Sequence, residues 1–331
     1  MRRFWAILAF VFGVLPITAL AQDVCGGEDL IDLMPSQERQ ALLDDVAREP
    51  YAEGLLWRAT KGDIVIEFFG TYHFRHAQTD AHLERLKPMI EAADTVYLEI
   101  SNADQSKMER EMASDPALMF ITEGPTLVDL LGEEDWKAFS EAMRERNIPG
   151  FMAAKFKPFW ATMMLGIGPC EARSGALEDR GIDVLVGEYA EAQGTGSQSL
   201  DDFVALLKML DEDPLEQQLN LIRLTLAWPG NVDDMSYTIR ERYLAEEIGL
   251  TWAFSKAVSL KYGGPTAEAD FARFTELLLE DRNRKWVDTL VANTMPGEQV
   301  FVAFGAGHLP GEIGVLWMLE QEGFAIERLE M

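Results

Sequence analysis

Histidine, cysteine and positive charge are all scarce in this 331-residue chain: there are four histidines and two cysteines, and 29 lysines and arginines face 56 aspartates and glutamates, for a formal charge of −27. So acidic a surface repels nucleic acid and anionic lipid, and neither is expected as a partner. The chain has no G-x-x-x-x-G-K-[ST] phosphate loop, no H-E-x-x-H and no G-x-S-x-G, which removes the common signatures of nucleotide hydrolases, zincins and α/β-hydrolases. Gly305 to Gly311 reads GAGHLPG, but its G-x-G-x-x-x-G spacing departs from the dinucleotide fingerprint and it sits in the last βα unit. Internal repeats and low-complexity tracts are absent as well.

The amino terminus carries Arg2 and Arg3, an apolar run broken by Gly13 and Pro16, and then Ala19-Leu20-Ala21. This is the form of a secretory signal cleaved after Ala21, in preference to a retained anchor of similar length. Cleavage removes two arginines and no acid, which changes the charge from −27 to −29. The expected location is periplasmic or secreted, with no stable membrane insertion after cleavage. In such an oxidising compartment the even pair Cys25 and Cys170 predicts a disulfide, and a loop that long gives about 5 kcal/mol in the chain-entropy model.

Residues 22–331 are long enough for one large domain. Periodicity predicts a short helix at 35–46 with Ser36 as its cap, a hairpin of strands 54–60 and 64–69, a helix at 81–93 and a buried strand at 95–100 laid parallel to the one before it. Residues 105–293 read as mostly helical, with helices at 126–147, 181–192, 200–210, 214–227, 235–258 and 267–291. Strand 299–304, helix 311–322 and strand 324–329 close the chain. The expected fold is α/β: a mixed central sheet built from N- and C-terminal strands, flanked by helices, with a large helical insertion.

Two strand ends repeat one turn. Gly70-Thr71-Tyr72-His73 follows the strand IVIEFF, and Gly305-Ala306-Gly307-His308 follows QVFVAF. Ligands of open α/β sheets gather beyond the carboxyl ends of the strands, where two such histidines can meet, and glycine at each turn leaves room for a close approach. Glu99 ends the apolar strand TVYLEI, and an unpaired carboxylate there needs a cation, a metal or exposure at the sheet's edge. Two imidazoles and a carboxylate suit a divalent ion such as Mn, Zn, Fe or Co. Arg282 shares a helical stripe with Phe271, Phe274, Leu278 and Trp286, so its guanidinium points inward toward an anion, which is Glu99, another acid or a developing oxyanion. Asn283 and Arg284 are weaker candidates beside it. His76 and His82 read as polar surface residues, with His76 a candidate supporting partner of the site.

The paired G-x-x-H turns, the glutamate of YLEI, the helix LLLEDRNRKW and the closing FVAFGAGHLPGEIGVLWMLEQEGFAIERL together resemble the TraB/PrgY/GumN family, whose eukaryotic relatives include the Tiki metalloproteases. Gly181-Ile182-Asp183 resembles the family's middle section. Where members often carry Leu-Glu-Thr, this chain has Leu200-Asp201-Asp202. The resemblance implies a fold like that of the erythromycin esterase and ChaN group. It also implies a metal-dependent hydrolytic site at His73, Glu99 and His308 with Arg282 in support, acting on peptides or small molecules. Glu99 would ligate the ion or serve as general base. The alternative is a non-catalytic protein that sequesters a peptide or a haem through the same histidines.

Overall fold

A computed structural model describes residues 25–175 and 181–331; the expected signal at 1–21 lies outside the described residues. Strands β1 (Leu56–Lys61) and β2 (Ile64–Thr71) form the expected antiparallel hairpin. With β3 (Thr95–Leu98), β4 (Gln198–Ser199), β5 (Gln299–Gly305) and β6 (Ala325–Leu329) they make a mixed sheet in the order β4-β3-β5-β2-β1-β6. The four strands from β4 to β2 are parallel, and β1 and β6 add the antiparallel edge.

Strand β3 does run parallel to β2, but β5 lies between them and pairs with both. The sequence of β5 accounts for this central place. Val300, Val302 and Phe304 pack on one face of the sheet with Phe68 and Trp286, while Phe301 and Ala303 pack on the other with Phe69 and Val96. A strand apolar on both faces belongs in the middle of a covered sheet. The helices Ala77–Ala92 and Ile182–Gln193 cover one face, and Asp281–Asn293 and Val315–Gln321 cover the other. The helical middle of the chain adds its own core around Phe139, Met143 and Ile222.

Several expected helices are interrupted where the backbone cannot continue. Gly132 (φ 80°) divides Leu127–Leu131 from Glu133–Glu145, and Glu246 (φ 63°) lies between Val232–Leu244 and Ile248–Tyr262. The helix expected at 267–291 is Ala267–Thr275 and Asp281–Asn293 joined by a π-helical turn, Glu276–Glu280. The last helix is only Val315–Gln321. Ser36 does not cap the first helix: it is that helix's first residue, Pro35 is the cap position, and no side chain bonds there.

Cys25 and Cys170 form a disulfide across 145 residues, tying the start of the described chain to the helix Pro169–Ser174. Among the described residues no helix is long and apolar enough to cross a membrane.

Candidate functional site

The parallel strands β2, β3 and β5 end side by side, and each delivers a polar group just past its last residue. The two glycine turns pack directly together: a Cβ on Gly70 would fall 2.6 Å from Leu309 Cδ1 and 2.9 Å from the Ala306 backbone. Gly305 keeps open the space between two ligand-type side chains, since a Cβ there would sit 3.3 Å from His73 Nε2 and 3.7 Å from Glu99 Oε2. His73 and Glu99 therefore converge over Gly305, as the sequence predicts.

His73 Nδ1 lies 3.3 Å from Asp183 Oδ2, which leaves Nε2 toward Glu99. Burial opposes protonation of His73, but the hydrogen bond and charge of Asp183, followed by the charge of Glu99, more than offset it and raise the pKa to about 9. The ring is not sealed, for 60% of the side chain is accessible. Burial pushes the Glu99 carboxyl up, yet the Arg282 guanidinium first, and then His308 and His73, hold it at about 2. Glu99 Oε1 is ion-paired with Arg282, and Oε2 accepts the Gly305 N–H at 3.4 Å.

Arg282 is where the inward stripe placed it, 7% exposed. Its Nε donates to Asp201 Oδ2 at 2.7 Å, Nη1 to the Leu278 carbonyl at 2.9 Å, and Nη2 to Glu99. The Leu278 carbonyl belongs to the π-helical turn, a feature that recurs at functional sites. Trp286 supports the guanidinium with its ring face at 4.8 Å and donates Nε1–H to Asp201 Oδ1 at 2.9 Å.

His308 is buried against Trp286, with ring centroids 4.3 Å apart. Its tautomer follows from a relay. Asn283 Nδ2 donates to the Ile313 carbonyl at 2.7 Å, so Asn283 Oδ1, 2.6 Å from His308 Nδ1, must accept. His308 thus carries its proton on Nδ1 and keeps a bare lone pair on Nε2. Burial lowers its pKa to about 3 against the pull of Glu99, with Arg282 and His73 adding to the lowering, so the ring is neutral at physiological pH.

Two of the expected residues fall elsewhere. The His76 ring accepts the Gln78 N–H at 3.3 Å and caps the helix Ala77–Ala92, which is why that helix begins four residues earlier than expected. Arg284 is exposed and pairs with Glu280 and Asp281. His82 is half-buried, edge-on to Phe69. Conversely, Asp201 and Asp183 belong to the site although sequence periodicity gave no sign of either. Asp201 arrives because β4 is only two residues long, and its N–H continues the pairing onto the Glu99 carbonyl at 3.0 Å.

Gly181 is locked to this geometry, since a Cβ would lie 2.2 Å from the His73 carbonyl oxygen. Gly181→Ala is expected to lower stability by about 1–3 kcal/mol, as overpacking does, and to displace His73. Thermal midpoint and divalent-ion affinity measured together check this. Wild-type values for both would show that His73 does not depend on this contact.

The donors fit a divalent ion in kind: a lone pair fixed on His308, an imidazole at His73 once it gives up the proton that Asp183 and Glu99 favour, a carboxylate kept ionised at Glu99, and a space over Gly305 that a Cβ would fill. Among the described residues, however, no three His, Cys, Asp or Glu side chains are grouped as an ion-holding cluster. Before the site opens a cavity of about 880 Å³, lined by His73, Glu99 and Arg282 at one end and elsewhere by helix side chains, apolar ones such as Phe159 and Leu207 together with polar ones such as Glu109 and Gln218.

Sheet and site together define a mixed α/β protein with a histidine–carboxylate–arginine centre beyond the ends of its parallel strands. The profile of the TraB/PrgY/gumN family matches residues 55–328, and the chain belongs to that family. No curated protein and no solved structure matches it.

Proposed function

We propose that the protein is a metal-dependent hydrolase of amide bonds, peptide bonds among them, that works outside the cytoplasm after signal removal. The observation that carries this reading is the convergence of His73 Nε2 and Glu99 Oε2 over Gly305, beside a histidine whose Nε2 is unprotonated. His73, His308 and Glu99 would hold the ion. Such an ion polarises a carbonyl and acidifies water.

The protein's own groups have distinct tasks. Asn283 fixes the His308 tautomer, and Asp183 orients His73. Arg282 keeps Glu99 ionised, and with Nε, Nη2 and one Nη1 hydrogen engaged, its second Nη1 hydrogen is left for an oxyanion. A carboxyl held near 2 is a weak proton acceptor at neutral pH but a good anionic ligand, so Glu99 serves as ligand. The disulfide accords with an oxidising compartment.

The test is amide hydrolysis before and after chelation. Activity lost to a chelator and restored by Mn, Zn, Fe or Co supports the proposal, and activity indifferent to chelation overturns it.

A further inference from the structure

We propose that the cavity before the site holds a hydrocarbon chain, so that the substrate is an acyl amide with a neutral or cationic head group. This rests on the hydrolytic reading and narrows its substrate. The walls come from the helices Asn102–Ser114, Pro158–Gly166, Phe203–Glu212, Leu215–Ala227 and Ala267–Thr275 and from the π-helical turn. They present Met108, Phe159, Phe203, Leu207, Phe274 and Leu277 to the space, whose volume is within the range of small-ligand cavities, about 300–1,000 Å³.

The scarcity of free main chain along the helical walls favours an acyl chain over a peptide, since the non-helical lining is confined to the site end, at 71–74, 98–100 and Gly181, and to Asp213. Helical N–H and C=O groups are engaged within their own helices, and the nearby sheet edge, β4, is only two residues long and does not line the cavity. A peptide backbone lying there would leave its own polar groups unpaired, whereas a hydrocarbon has none to satisfy.

Several polar side chains of the lining are engaged too. Thr162 donates to the Pro158 carbonyl, and Gln218 Nε2 to the carbonyls of Asp211 and Asp213. Gln218 Oε1 and Thr71 Oγ1 are buried with no partner among the described residues. Thr71 is two residues before His73 and lines the same cavity. Glu109, Asp213 and Asp270 also line the space, with Arg273 beside them, and Arg273 pairs with Asp213 and Glu276. That balance disfavours an anionic head group. In the reaction, water oxygen bonds to the acyl carbon, the carbon–nitrogen bond breaks with its electron pair to nitrogen, and nitrogen takes a water proton. The other proton leaves with the carboxylic acid, so water is the only co-reactant.

Two measurements on the purified protein test this separately. The first is calorimetric titration with butyl-, octyl- and dodecyltrimethylammonium below their micelle concentrations, with circular dichroism confirming that the fold is intact. Affinity is expected to rise by about fourfold per added methylene, and Met108→Trp to reduce dodecyl affinity at least tenfold while leaving butyl affinity unchanged. Met108 is on a helix with no buried residue, so the substitution spares the core. The second is hydrolysis of butanoyl and dodecanoyl 4-nitroanilides beside a library of unacylated peptides. Chain-length-dependent binding without hydrolysis supports the acyl chain and counts against the hydrolytic reading alone. Affinity independent of chain length, or preferential cleavage of unacylated peptides, overturns the inference.

Discussion

Arg282→Met is expected to destabilise the protein by about 3–5 kcal/mol at pH 7, the usual result of removing one partner from a buried charge network. The guanidinium is the shared cation of Glu99 and Asp201, at 2.6 Å from the latter, and both carboxylates are mostly enclosed. Burial already raises the Asp201 pKa despite Arg282 and Trp286. Without Arg282 both acids rise, and the loss has a definite pH dependence. Glu99, held at about 2 by this partner, contributes stability that is present above the unfolded carboxyl pKa and lost as pH falls through the folded value. The wild-type protein should therefore lose this advantage below about pH 4, and the gap between wild type and Arg282→Met should narrow there. Adding Glu99→Gln and Asp201→Asn to Arg282→Met should recover much of the loss at pH 7 by removing the stranded charges. Equal destabilisation at pH 7 and pH 3.5, or no recovery, would show that the network is not held by charge.

Glu99→Gln tests the carboxylate directly and has the largest expected effect on function. If Glu99 is a ligand, as its low pKa indicates, the amide should weaken ion affinity by about 10–100-fold or more and abolish turnover at ordinary ion concentrations. The opposite result, full ion content with turnover reduced by about 10²–10⁴, would make Glu99 the general base instead. Circular dichroism and a thermal midpoint keep the comparison sound, because the variant also loosens the hold on Arg282.

Much of the sheet could be read from the sequence because its strands are apolar on both faces. IVIEFF, TVYL and QVFVAF are each bounded by turn residues, and β5 is central for that reason. The neighbour order was not legible, since the strand that separates β3 from β2 comes from the far end of the chain. The π-helical turn was hidden because FTELLLEDRNRKW has no residue that breaks a helix. Even so, Arg282 pointed inward as expected, because the turn shifts the register on its amino-terminal side and leaves Arg282 and Trp286 on the same face. His73, Glu99, Arg282 and His308 were found by looking for polar groups at the ends of apolar strands and on an apolar stripe. Asp183 and Asp201 could not be found that way. One opens a helix and the other follows a two-residue strand, places where acids are ordinary. The capping role of His76 was not legible, because a histidine accepting a cap hydrogen bond looks in sequence like any histidine beside a site.

The central claim is that residues from the two ends of the chain hold one divalent ion. Elemental analysis of the purified protein, equilibrated with Mn, Zn, Fe or Co and freed of excess, tests it most directly, on the wild type and on His73→Ala and His308→Ala. About one ion per chain is expected in the wild type and none in either variant. Because a proton occupies His73 up to a pKa of about 9, wild-type affinity should rise as pH is raised from 6 toward that value. Wild-type metal content in both histidine variants would contradict the account, as would a wild-type protein that takes up no divalent ion at any pH in that range.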